Sequence, residues 1–160
     1  MFKKTNNILL ILILFIISAS LFAAFIIQYE LGHQPCKLCI YQRIPYILSI
    51  FLIIELIFFK RNEKNTLLLL SLIFIISVIL AFYHFGIEQG FFTESLVCES
   101  TSFSETLTKD QLLEQLKQNT ISCKDVSFKV LGLSLASINV IFSLVLSVIF
   151  LKLFLNYEKN

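Results

Sequence analysis

Residues 8–27 read ILLILILFIISASLFAAFII, twenty consecutive positions without a charge and with two serines as the sole polar side chains. A helix rises about 1.5 Å per residue, so about 20 apolar residues cross a hydrocarbon core roughly 30 Å thick. Lys3 and Lys4 precede this run and Ser18-Ala19-Ser20 offers small residues, as in a cleaved signal peptide. The run continues to Ile27, however, which is too long for a signal core and long enough to span. Three further stretches reach the same length: Tyr41 to Phe59, Thr66 to Tyr83, and Val130 to Leu151. The sequence therefore predicts an all-α membrane protein, a bundle of four transmembrane helices. The rest of the chain agrees: it is 57% hydrophobic, with 17 Phe, no Trp, four Gly and two Pro. No Pro/Gly/Ser-rich linker and no repeat divides it, so residues 1–160 read as a single membrane domain. A net charge of +2 on scattered basic residues excludes a nucleic-acid partner, which needs a clustered basic face.

Cations in short flanking segments are retained on the cytoplasmic side. Seven of them, Lys3, Lys4, Lys60, Arg61, Lys64, Lys152 and Lys159, crowd the two ends and the second connection, which are expected to be cytoplasmic. The connections at about 28–40 and 84–129, with Arg43 just past the first, share the other six over much more chain and are expected to face outward. Cys36, Cys39, Cys98 and Cys123 all fall in or at the edge of these outer segments, where an oxidising compartment lets cysteines pair.

Cys36-Lys37-Leu38-Cys39 is a C-x-x-C, a spacing that closes a small reducible ring and suits thiols that form and re-form a disulfide. A static loop disulfide or half of a zinc site uses the same tetrapeptide. Arg43 favours the redox alternative over both, because a permanent cation at the start of a membrane helix is costly without a task, although snorkelling to headgroups is a task too. Pro45 is harmless in a first helical turn, so the second span is expected to start near Gln42 or later, with Cys39 at its N-terminus. An earlier start puts Cys39 and Arg43 on one face. Either geometry is expected to favour a Cys39 thiolate.

Cys98 and Cys123 lie 25 residues apart and lack a C-x-x-C of their own, which argues against a metal site. A disulfide between them would close a loop in which Thr108-Lys109-Asp110-Gln111 resembles a capping box and Leu112, Leu113 and Leu116 share a face, predicting a short amphipathic helix in the outer loop. His84 ends the third span on the same face as Arg43, either as an interfacial histidine or as a ligand-contacting one. His33 reads as solvated, and Glu55 as an interfacial partner of Lys60 and Arg61.

Taken together, Pro35-Cys36-Lys37-Leu38-Cys39-Ile40-Tyr41-Gln42-Arg43-Ile44-Pro45-Tyr46 resembles the signature of the DsbB disulfide-bond-formation proteins. Tyr83-His84 with Gly86, Glu88 and Gly90, then Cys98, Cys123 and Leu131-Gly132-Leu133-Ser134, follow that family in order and spacing. The resemblance implies a protein dithiol:quinone oxidoreductase of the bacterial inner membrane, with periplasmic cysteines and cytoplasmic termini. Such a protein reoxidises a DsbA-like thioredoxin-fold oxidase and passes the electrons to a membrane quinone, ubiquinone or menaquinone. By position, it implies that Cys98 is attacked by the reduced partner, that Cys123 then attacks Cys36 of the Cys36–Cys39 disulfide, and that Cys39 leaves as a thiolate beside the quinone. It further implies that Arg43 stabilises that charge and that His84 lines the quinone site.

Two other classes remain to be distinguished. Proteins of the vitamin K epoxide reductase type also couple a C-x-x-C to quinone, but there the motif comes late in the chain. A structural or transport protein with two static disulfides needs neither Arg43 nor a quinone, and would show more polar spans than these.

Overall fold

The structure is a computed structural model that describes residues 7–60, 62–93, 122–124, 129–130 and 132–158. Cys98, the Thr108–Gln111 capping box and the amphipathic helix expected after it lie outside the described residues. The described chain is helical, with four helical stretches long and apolar enough to cross a membrane. In chain order these are α1 (Asn7–Tyr29), a stretch formed by the short α2 (Lys37–Tyr41) and α3 (Arg43–Phe58), α4 (Glu63–Glu88) and α5 (Leu135–Glu158).

Each span buries a narrow seam and leaves the rest apolar and exposed, as expected where lipid replaces water. On α1, Leu10, Ile13, Ile17 and Leu21 recur at helical spacing and face inward, whereas Ile8, Phe15 and Phe22 point out. The seam meets Tyr46, Ile53 and Leu56 of α3, Leu67, Leu70 and Phe74 of α4, and Leu146 and Phe150 of α5. Phe74 stacks on Phe150 with ring centroids 5.6 Å apart and meets Tyr46 edge-on at 5.8 Å, the offset and T-shaped arrangements that ring quadrupoles favour. Ser71, Ser77, Ala81, Ala136 and Ser143 are buried, and their small side chains let the α4 and α5 backbones approach. Contacts at the helix ends give the alternation of direction. Arg43 at the start of α3 reaches Gln28 at the end of α1, and Lys64 at the start of α4 lies over Phe154 near the end of α5.

Among the helix boundaries that differ from the sequence expectation, three have a local reason. The second span starts at Lys37, not at Gln42, because Cys36 caps the helix: its Sγ accepts the Cys39 N–H at 3.3 Å. The ladder is interrupted at Gln42 instead. Pro45 has no N–H to give to the Tyr41 carbonyl four residues back, so the break falls where that bond is missing. The third span runs past Tyr83 to Glu88 and ends at Gly90, whose φ of +76° suits a residue without a Cβ; the Phe91 N–H closes back on the Gly86 carbonyl at 2.8 Å. At Gly86 a Cβ would collide with the Phe92 ring, which folds over the helix end. The fourth span starts at Leu135 rather than Val130. Gly132, at φ +84°, precedes the second of two antiparallel strands, β1 (Lys129–Val130) and β2 (Leu133–Ser134), and the Ser134 hydroxyl then accepts the Ser137 N–H at 3.2 Å as a helix cap.

Candidate functional site

At the end of the bundle where α2 begins and α4 ends, four groups of the sequence reading come together: Cys36, Cys39, His84 and Cys123. Cys36 has an extended backbone as the residue preceding α2, and Cys39 follows one helical turn later, which turns both sulfurs to the same side. Both thiols are free, with their Sγ atoms 2.7 Å apart; Cys36 is 5% exposed and Cys39 half-buried. Their Sγ atoms and the nearest His84 ring nitrogen lie within 4.8 Å of one another. Two sulfurs on one tetrahedral zinc stand roughly 3.8 Å apart, given Zn–S bonds of about 2.3 Å. The closer approach here suits sulfurs that bond to each other.

His84 reaches this pair from α4, with Nε2 3.5 Å from the Cys36 Sγ. The other ring nitrogen is held by a chain of polar side chains buried in the bundle. Asn139 of α5 donates from Nδ2 to the Gln42 Oε1 at 2.8 Å, which fixes the Gln42 amide so that its Nε2 donates to the His84 Nδ1 at 3.1 Å. That assigns Nδ1 as an acceptor and puts the ring hydrogen on Nε2, toward the cysteines. The chain continues away from the cysteines: Tyr46 donates its hydroxyl hydrogen to the Asn139 Oδ1, and Ser143 lies 2.8 Å from the Tyr46 hydroxyl and 2.9 Å from that of Ser77. Buried polar groups in an apolar bundle are costly unless satisfied, so a connected chain of this kind fixes the orientation of each member. Glu88 closes the cluster one turn beyond His84, its Oε1 3.7 Å from the same Nε2.

Cys36 is the sulfur on which the polar contacts of the site converge. Its pKa is lowered from 9.0 to about 5, first by the hydrogen bond from the Cys39 thiol and then by the hydrogen bond and attraction of His84, with a smaller share from the Cys39 N–H; burial opposes them. The sequence reading expected a thiolate at Cys39 from either helix start. With Cys36 as the cap, the N-terminal amide and helix dipole act on Cys36. The ultraviolet absorbance of the thiolate checks this. In the reduced protein it is expected to rise with a midpoint near pH 5, and in Cys39→Ala to move up toward 9.0, since the largest stabilising contact is gone. A midpoint near 9 in the unmodified protein would contradict the assignment.

Arg43, at the start of α3, reaches across to α1. Its guanidinium donates to the Gln28 Oε1 at 2.6 Å and sits 5.0 Å from the centre of the Phe25 ring, so its interactions in this structure are with α1. Ile40, Tyr41 and Ile44 beside it are exposed. Cys123 is disulfide-bonded and 1% exposed, packed in one cluster with Cys36, Leu38 and Ile87, and its backbone hydrogen-bonds to His84. His33 lies in the connection after α1, its N–H bonded to the Ile27 carbonyl at 3.2 Å, and Glu55 is exposed near the far end of α3. Gln42, Tyr46, Ser77 and Asn139 were not singled out as site residues from the sequence. Their signal was present: Gln42 and Tyr46, Asn139 and Ser143, and Ser77, Ala81, His84 and Glu88 are spaced three or four apart, which places each set on one helix face.

Comparison with known proteins gives two matches. The family model described as "Disulfide bond formation protein DsbB" matches residues 6–153. The uncharacterized protein RP370 of Rickettsia prowazekii (strain Madrid E) is 32% identical over 161 aligned residues, covering 99% of this chain and 93% of its own length.

Proposed function

The chain belongs to the DsbB family of disulfide bond formation proteins, and on that premise we propose that it is a membrane dithiol:quinone oxidoreductase which reoxidises a DsbA-like thioredoxin-fold oxidase. The observation that carries the proposal is the burial of Cys123 against Cys36, beside a free thiol pair held by His84. Thiol–disulfide exchange needs an attacking sulfur, a receiving sulfur and a good leaving sulfur within reach of one another. In this reading Cys98, the fourth cysteine, pairs with Cys123 and forms the mixed disulfide with the partner; Cys123 then attacks Cys36 and electrons collect on Cys36 and Cys39. A quinone supplies a lipid-soluble acceptor of two electrons and two protons. Arg43 and the apolar face of Ile40, Tyr41 and Ile44 would hold it, with the guanidinium offsetting negative charge on the ring oxygens. His84 keeps Cys36 charged and oriented. In this reading the protein sits in the bacterial inner membrane with cytoplasmic termini, an orientation that the distribution of cations supports.

Trapping tests the order of exchange. A Cys123→Ala variant leaves Cys98 as a free thiol that cannot pass a disulfide inward, so incubation with an oxidase-type thioredoxin-fold protein in its disulfide form, whose S–S bond Cys98 opens, is expected to accumulate a covalent complex through Cys98, identified by peptide mass mapping. A complex through Cys36 or Cys39 instead would overturn the order.

A further inference from the structure

Glu88 has no part in the relay described so far, yet it stands inside the site. Its side chain is 6% exposed, Oε1 is 3.7 Å from the His84 Nε2, and Oε2 is buried without a hydrogen-bond partner among the described residues. The same Nε2 lies 3.5 Å from the Cys36 sulfur. Because Gln42 occupies Nδ1, and Asn139 fixes the direction of Gln42, a single N–H faces both the thiolate and the carboxylate. In a buried site the one imidazole between them offsets one anion and not two, so a further proton is held in the cluster when Cys36 is charged. The titratable groups around Glu88 are His84 on its own helix and Cys39 of α2, with Cys36 across the same Nε2; the neutral amides of Gln42 and Asn139 lie on the other side of the His84 ring, and Cys123 meets that ring through its backbone.

We propose that Glu88 is the proton store of the dithiol: it holds a proton while Cys36 and Cys39 are reduced and releases it when they close to a disulfide. This rests on the electron route proposed above, and it balances. A reduced partner delivers two electrons and two protons as its own disulfide forms; the Cys36–Cys39 bond breaks, leaving Cys36 as thiolate, Cys39 as thiol and the second proton on Glu88. On reoxidation the Cys36–Cys39 bond re-forms while the Cys39 S–H and Glu88 O–H bonds break. Two electrons and two protons leave together, and the quinone is reduced to quinol. Glu88 thus acts as a positioning and proton-holding group through His84, without touching the acceptor.

Redox-difference infrared spectroscopy of the full-length protein, reduced with dithiothreitol and oxidised with diamide, tests this without quinone or partner. A protonated-carboxyl stretch is expected in the reduced state and absent in the oxidised state, shifting in D2O, lost in Glu88→Gln, kept at a moved frequency in Glu88→Asp and unaffected in Glu55→Gln. In parallel, the midpoint potential of the pair should fall with pH as a two-proton couple in the unmodified protein and as a one-proton couple in Glu88→Gln. Absence of a redox-linked carboxyl band in the unmodified protein, or a band that survives Glu88→Gln, would overturn the proposal. A protein that shows the band yet reduces no quinone would contradict the electron route and leave the proton store standing.

Discussion

Cys39→Ser is expected to abolish quinone reduction, with turnover falling by about a thousandfold or more, while the protein still folds and inserts. Serine cannot form the Cys36–Cys39 bond, so electrons arriving at Cys36 have no second sulfur through which to leave as a pair. The substitution is mild in every other respect. The hydroxyl can still donate to the Cys36 sulfur 2.7 Å away in the native pair, and the N–H that bonds to Cys36 belongs to the backbone and is retained. The stability change is expected to be within about 1 kcal/mol, because a part-buried thiol becomes a hydroxyl with a partner already in place. A protein whose cysteines were static staples would behave in the opposite way, losing stability and having no turnover to lose. Denaturant titration in micelles together with quinone absorbance separates the two.

His84→Ala is the second large effect, expected to lower turnover by about 10- to 100-fold, the range typical of groups that orient and tune a reactive centre. Two contacts are lost at once. Cys36 loses the Nε2 hydrogen at 3.5 Å that supports its charge, and Gln42 loses the acceptor for its amide, leaving a buried donor short of a partner. The second loss alone is worth about 1–3 kcal/mol of stability. The reactivity effect is separable from it. Asn139→Leu leaves His84 in place but removes the donor that fixes the Gln42 amide, so it should reproduce part of the stability loss with a smaller fall in rate. Comparable rate losses in the two variants would mean that His84 serves packing and not the sulfur.

The bundle was legible in the sequence because a membrane span is a property of a single uninterrupted segment, as residues 8–27 show. Its ends were less so. Tyr83-His84 read as the end of the third span, since polar residues usually mark the interface, but here they turn inward and the helix continues to Gly90, the residue able to take the left-handed stop. A cysteine serving as a helix cap carries no such signature, so the start of the second span was placed late. The C-x-x-C and Arg43 stood out by residue type. The chain from Tyr46 through Asn139 and Gln42 to His84 joins positions up to 97 residues apart, and no local pattern reports a contact at that separation. Inward-facing polar residues at helical spacing were the available clue, and they mark the positions from which the cysteine end of the bundle is organised.

The most direct test of the central claim is to mix the purified protein, in its oxidised form, with a reduced thioredoxin-fold oxidase and a water-soluble quinone, and to follow quinone absorbance and partner thiols together. One quinone is expected to be reduced for each partner disulfide formed, over many turnovers per molecule of this protein. Partner oxidation that stops after the protein's own disulfides are consumed, with the quinone unchanged, would contradict it.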